Sequence, residues 1–256
     1  MSRWSAEPLR IALAPGEVAL LRVRGTPASR VLATSELSAA SLLPLLDEAL
    51  ADPTWRSRRV EVVLSQHFVR HVLTPPPAKA LSRAEEHALV AASLREIYGD
   101  EAAHWRVQVH SQPPQYGLVG AAVDAAFAQQ LDTLLARHGF RDVTIRPLAS
   151  VAVHRLPKRF RGWWALAEPG WLSLFGGVDG IWQHLAGQPI DAADWVAALP
   201  ELIEREAAWT TLPELPTVWI QALGVGAVST PVSDNGRWQV LPHDSQVHGA
   251  LALAGI

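Results

Sequence analysis

The sequence predicts an α/β protein in two lobes that share one order of elements: three meandering strands, a helix, a strand, a helix or its remnant, a strand and a helix. Two apolar strand pairs, each bent at Pro-Gly, open the halves: Leu9 to Ala14 with Glu17 to Arg24 around Pro15-Gly16, and Trp163 to Ala167 with Trp171 to Phe175 around Glu168-Pro169-Gly170. Between them, Gly117 to Arg155 reads strand, helix, strand, helix start. Leu118 to Val123 is apolar, Ala126, Phe127, Leu131, Leu134 and Leu135 mark one buried helical face, and Gly139 closes that helix behind Arg137 and His138. Val143 to Ile145 is the returning strand, so the stretch is expected to form one α/β layer with its strands under helices. The duplication is one of element order, not of residues.

Taken in order, the first hairpin is followed by a strand at Ser29 to Ala33 and a helix from an N-cap at Ser38 to about Ala51, with Leu42, Leu43, Leu46 and Leu50 on one side. Pro44 falls in its early turns, where proline is tolerated. Arg59 to Leu64 and Phe68 to Thr74 read as strands, the second stopped by Pro75-Pro76-Pro77. Ser82 and Glu85 form a capping-box pattern for a helix to Tyr98, which Gly99 ends. Trp105 to His110 alternates as a half-exposed strand does, and Ser111 to Gln115 is a loop. Leu148 to His154 opens a helix, and the charged run Leu156 to Gly162 is the lobe boundary. The expected division is a first lobe at 1–156, with an inserted helix-strand segment at about 75–116, and a smaller second lobe at 157–256. In that lobe Ile181 to Ala186 completes the meander and Asp191 caps a helix through about Trp209. Thr217 to Ala222 and Arg237 to Leu241 are strands, and His243 to Ala254 is the last helix.

The bulk composition narrows the function. The chain has 256 residues, 49% of them hydrophobic and 18% charged, enough to bury a large core. A net charge of -3 and a pI near 6.4 provide no basic field for nucleic acid. With 0 cysteines, disulfides, cysteine-ligated zinc, iron–sulfur clusters and a thiol nucleophile are excluded. The N-terminus lacks the apolar core of a signal peptide and no stretch approaches the length of a membrane span, which points to the cytoplasm. The 11 tryptophans read as core filling, or in part as a partner surface.

The run Leu81 to Tyr98, then Trp105, then Leu118 to Asp124, then the helix to His138-Gly139-Phe140 resembles segments of the type IV pilus assembly protein PilM. It also looks like the cytoplasmic actin-like domain of the type II secretion protein GspL. The resemblance covers about Arg59 to Arg155 and implies a two-lobed actin-like (ribonuclease H-like) fold with a duplicated βββαβαβα order. In that fold two glycine-turn hairpins and a late glycine pair hold nucleotide, and the first hairpin carries an aspartate for metal and water. Here Ile11 to Ala14 offers no carboxylate, Trp164 to Ala167 offers no aspartate, and both turns contain a proline that lacks an N–H for phosphate. The resemblance therefore implies a pseudo-ATPase with no catalytic residue and no cofactor, its degenerate nucleotide positions being Gly16, Gly170, Gly224 and Gly226. Residual ATP binding stays open.

Other constellations have structural alternatives. His67 and His71, with His87 or His110, could be imagined as a metal site but read as surface or edge histidines. Phe175-Gly-Gly-Val-Asp-Gly180 reads as a hairpin bend and not a phosphate loop, because no helix with a lysine follows. Asp124 either faces a ligand crevice at a strand end or caps the helix from Ala125. No Walker-type motif, nucleophile elbow or zinc-protease helix occurs.

The expected function is a non-catalytic scaffold of a type IV pilus or type II secretion-type machine, peripheral at the inner membrane through its partner. That partner would be the cytoplasmic tail of an inner-membrane component, or an assembly ATPase. A peptide would add to an edge strand or lie beside the Ser82 to Tyr98 helix, anchored by Tyr98, Trp105 or Tyr116. The alternatives are an actin-fold ATPase or kinase with non-standard phosphate ligands, and an unrelated α/β protein.

Overall fold

Each half of the chain builds a five-stranded sheet, and the two sheets share one strand order. The computed structural model describes residues 8–23, 26–190, 195–210, 212, 217–225, 237–242, 247 and 249–255. The strands are β1 (Leu9–Ala14), β2 (Glu17–Arg22), β3 (Ala28–Ala33), β4 (Arg59–Leu64), β5 (Arg70–Leu73), β6 (Trp105–Ser111), β7 (Leu118–Asp124), β8 (Asp142–Pro147), β9 (Arg161–Glu168), β10 (Trp171–Val178), β11 (Ile181–Pro189), β12 (Val218–Ala222) and β13 (Trp238–Val240). The helices are α1 (Leu42–Leu50), α2 (Arg83–Tyr98), α3 (Ala125–Arg137), α4 (Leu148–Ala152), α5 (Trp195–Ala207) and α6 (Gly249–Ala254).

The first sheet runs β3-β2-β1-β4-β8 and the second β11-β10-β9-β12-β13. In each, three strands form an antiparallel meander and two more add in parallel. The meanders are cheap to build because their first bends, at Gly16 and Gly170, use the left-handed backbone that glycine adopts freely, with φ of 72° and 76°. Parallel pairing demands longer connections: α1 lies between β3 and β4, and α5 between β11 and β12.

Three apolar cores pack the two five-stranded sheets. One face of the first sheet packs under α1 and α3 through Leu13, Leu20, Leu46, Val62, Leu131 and Leu135. The outer face of the second sheet packs under α5 through Trp163, Ala165, Leu199, Ile203 and Ile220. Between the sheets lies a shared core. Here Ala12, Ala14 and Ala19 of the first sheet admit α4 and α6 close to the backbone, and Trp164, Leu166 and Phe175 of the second sheet close it from the other side.

The strand at 118–124 departs from the sequence expectation. β7 and β8 do not return to one layer: β7 is the middle of a separate three-stranded sheet, β5-β7-β6, while β8 is the edge of the first five-stranded sheet. Both edges of β7 are taken by antiparallel neighbours, so the helix after it, α3, links two sheets and does not cross over within one. α2 covers this small sheet with Val90 and Leu94 against Val72, Leu118 and Ala122. The capping box at Ser82 and Glu85 forms with both bonds present. α1 begins at Leu42 with Ser41 at its N-cap, and Ser38 instead accepts a bond from the Ser41 N–H in the preceding turn. The expected cap at Asp191 and the expected start of the last helix at His243 lie outside the described residues.

The tryptophans fall mainly in the core: Trp55, Trp163, Trp164, Trp195 and Trp238 are buried. Trp209 is the contrary case, at 80% exposed. Among the described residues no helix is long and apolar enough to cross a membrane.

Candidate functional site

The two five-stranded sheets meet through a shared core at the duplicated hairpins. Each hairpin places a glutamate beside its Pro-Gly bend, and each glutamate binds an element from the other half of the sequence. Glu17, which opens β2, accepts a hydrogen bond on Oε2 from the backbone N–H of Ala250 at 2.8 Å and so caps the start of α6. Glu168, which ends β9, accepts one from the backbone N–H of Gln66 at 2.7 Å and one from the Ser65 hydroxyl at 2.6 Å. The first half thus holds an element of the second, and the second an element of the first.

The Ser65–Gln66 segment is presented by the end of β4. The Ser65 N–H bonds to the Leu13 carbonyl, continuing the β1–β4 pairing by one residue, and the chain then turns back through Phe68 N–H to Ser65 O. That turn leaves the Gln66 N–H pointing out of the sheet with no ladder partner, and Glu168 satisfies it. His67 adds a second clasp: its Nε2 lies 2.8 Å from the Pro169 carbonyl at the bend, and its ring packs 5.4 Å from that of Trp171. Arg70 stands over the same indole at 6.0 Å.

Burial sets the electrostatics. Glu168 is 1% exposed, and removal from water pushes its carboxyl up to about 7 despite the hydrogen bonds from Ser65 and Gln66, which act the other way. His67 is held below the usual imidazole range, first by burial, with Arg70 adding to the effect. Two buried side-chain amides at the centre of the molecule, Nε2 of Gln66 and of Gln221, have no hydrogen-bond partner.

The residues expected from sequence are distributed as follows. Gly16 and Gly170 sit at the two hairpin bends, and a side chain on Gly170 would face the His67 ring. Gly224 packs so tightly on Gly249, at the start of α6, that a Cβ there would lie 2.8 Å from the Gly249 nitrogen, which joins it to the Glu17 cap. Gly226 lies outside the described residues. Tyr98 and Trp105 come together at one end of the three-stranded sheet, ring centroids 5.1 Å apart, with Tyr98 37% exposed. Tyr116 sits past the opposite end of β6, since Trp105 pairs with Asp124 and Ser111 with Leu118, so the three aromatics do not form one patch.

Asp124 caps α3, accepting from the Phe127 N–H at 2.6 Å. His67 and His71 are both half-buried: His67 clasps the second hairpin, and His71 sits on β5, an edge strand of the three-stranded sheet, where it lines a pocket. Among the described residues no group of three or more His, Asp and Glu could hold a metal ion. The segment Phe175 to Gly180 is a strand end and bend, with a bulge between Gly176 and Gly177. Sequence reasoning looked for aspartates before the bends and passed over the glutamates flanking them. The signal was the near-mirror placement of Pro15-Gly16-Glu17 and Glu168-Pro169-Gly170.

Two sheets of one topology, packed on a shared core with a hairpin opening each, define the actin-like ATPase fold. The chain is similar to the cytoplasmic domain of EpsL, an inner membrane component of the type II secretion system of Vibrio cholerae. The two share 17% identity over 96% of this chain and 92% of that one, with a TM-score of 0.57. A Bacteroides thetaiotaomicron protein with an actin-like ATPase fold and unknown function matches at 10% identity over 100% of this chain and 99% of that one, TM-score 0.56. The PilM-PilN type IV pilus biogenesis complex contains a chain 15% identical over 84% of this chain and 81% of its own, TM-score 0.52. No family model and no curated protein matches the sequence. At these identities the likeness is one of fold, and it bears out the actin-like architecture near the secretion and pilus proteins.

Proposed function

We propose that this chain is a non-catalytic, cytoplasmic actin-like scaffold of a type II secretion or type IV pilus-type machine, in which its own carboxylates bridge the lobes. One observation carries the reading: each hairpin's glutamate accepts from a backbone N–H supplied by the other half of the sequence, Glu168 from the turn after β4 and Glu17 from α6, which packs on the first sheet. Backbone N–H groups are what a phosphate would seek, and here carboxylates already occupy them. A nucleotide does not fit this arrangement. Its phosphates would meet two acidic side chains, two bends that each lack an N–H at proline, and a β1 strand with no carboxylate to carry a metal.

The partner side of the proposal draws on the neighbours, an inner-membrane component and the PilM-PilN complex. By extension, this chain would hold a cytoplasmic segment of an inner-membrane protein, and through it sit at the membrane face. β8 supplies a place for such a segment. It ends the first sheet with no described strand on its outer side, and a groove of about 270 Å³ lined by Arg106, Gln108, Asp132, Val143 and Ile145 runs between it and the three-stranded sheet. An extended peptide could add there as a sixth strand, with Trp105 next along β6.

The deciding experiment is calorimetry of the full chain with ATP, with and without magnesium. No heat at millimolar nucleotide is expected. Micromolar, magnesium-dependent binding would overturn the reading and bring forward an ATPase or kinase with unusual phosphate ligands.

A further inference from the structure

A second pocket, of about 490 Å³, opens where the three-stranded sheet, the α4 region and the aromatic face of the second sheet converge. Its volume is that of a small-molecule site. One wall is a cluster of rings: Trp164 and Phe175 stack with centroids 4.7 Å apart, and Trp182 lies 5.6 Å from Phe175 and 6.1 Å from Trp164. The polar lining holds no carboxylate: it is Arg146, the histidines His71, His110 and His154, and the neutral Gln108 and Ser150.

His71 is the group the fold leaves unexplained. It is half-buried on β5, its ring meets the Phe175 edge at 6.0 Å, and burial holds its pKa down to about 4, so it is neutral near pH 7. A neutral imidazole offers one donor and one acceptor, and neither has a hydrogen-bond partner among the described residues. A half-buried imidazole that lines a pocket and has no partner of its own presents a donor and an acceptor to whatever the pocket holds. Arg146 is fixed in place by its contacts to the Ser150 carbonyl at 2.9 Å, to Glu61 at 3.3 Å and to His154 Nε2 at 3.5 Å, and its five-donor guanidinium has N–H groups beyond those three. The rim is also fixed: Gln112 donates to the Trp182 carbonyl at 3.1 Å and accepts from the Trp182 N–H at 2.6 Å, tying the small sheet to the second lobe.

We propose that this pocket binds a small planar aromatic carboxylate, its ring against Trp164, Phe175 and Trp182 and its acid group toward Arg146 and His71. Such a ligand would touch both lobes and the three-stranded sheet at once. The site is separate from the hairpin cleft and does not depend on the scaffold reading.

The test is titration of the full chain with 2-naphthoate, alongside its neutral analogue 2-naphthalenemethanol and its cationic analogue 2-naphthylmethylammonium. Calorimetry should show saturable, submillimolar binding of the acid, affinity about tenfold weaker for the alcohol, and none for the ammonium ion. Ser150→Trp, which fills the pocket, should abolish binding. His71→Phe keeps the ring and removes the polar atoms, so it should weaken the acid several-fold and narrow its advantage over the alcohol. Should Ser150→Trp fail to fold by circular dichroism, His71→Phe decides alone. No saturable binding of 2-naphthoate at millimolar concentration, equal affinity for all three probes, or unaltered binding by folded variants would overturn the proposal.

Discussion

The two hairpins share a bend and a topology, yet their glutamates do different physical work. Glu17 is half-buried and accepts a single bond at the start of a short helix, whereas Glu168 is buried and holds both a backbone N–H and a hydroxyl. The first is a cap whose charge stays partly in water. The second is an ionisable group sealed in the cleft, where burial outweighs its hydrogen bonds and raises its pKa. Duplicated topology therefore does not confer duplicated energetics; the depth of the carboxylate decides.

The largest test of this contrast is pH. Folded Glu168 keeps its proton up to about 7 while the unfolded chain releases it near 4.5, so the folded state binds more protons in that window and this group's contribution falls as pH rises. His71 works in reverse. The unfolded chain takes up its proton below 6.5 but the folded state resists until about 4, so its contribution grows as pH rises through that window, and His67 acts in the same sense. Each of Glu168 and His71 is worth up to about 3 kcal/mol over its window. The opposed slopes should leave the wild type nearly flat between pH 4.5 and 6.5. Glu168→Gln should gain stability with rising pH and His71→Phe should lose it, as followed by urea denaturation; parallel curves for all three would dissolve the contrast.

Side-chain removal comes next. Glu168→Ala leaves the Gln66 N–H and the Ser65 hydroxyl unpaired in the interior and should cost about 2–3 kcal/mol at pH 7 by chemical denaturation. Gly249→Ala places a Cβ onto the Glu17 carboxylate at a backbone φ of 57° and should cost about 1–2 kcal/mol, detected as a lower melting temperature. Glu17→Ala removes only the cap and should cost about 0.5–1 kcal/mol. Should Glu17→Ala prove the more damaging of the two glutamate truncations, the assignment of the buried bridge to Glu168 is wrong.

Much of the fold was written locally. The Pro-Gly bends, the Ser82 and Glu85 capping box and the apolar face of the 125–137 helix each depend on residues within a turn or two of one another, and each formed as the pattern required. Sheet membership was not local. The run Leu118 to Val123 specifies a strand but not a partner, and nothing in its alternation separates an edge of the main sheet from the centre of a small one. The cleft was less legible still. Glu168 meets Gln66 across 102 positions and Glu17 meets Ala250 across 233, so their pairing exists only once both sheets are formed. His71 escaped for the same reason: its partial burial comes from Phe175 of the second lobe, not from its own strand.

The three-stranded sheet has a further property. Arg70, where the chain enters it, is the cross-strand partner of Ala122, near where the chain leaves. A unit whose two connections emerge side by side behaves like a cassette: recombination can exchange it, lengthen it or retailor its outer surface without moving the register between β4 and β8. Variation confined to its outer strand, β6, can thus accumulate there while Ala121 and Val123 of β7 stay packed on the first core.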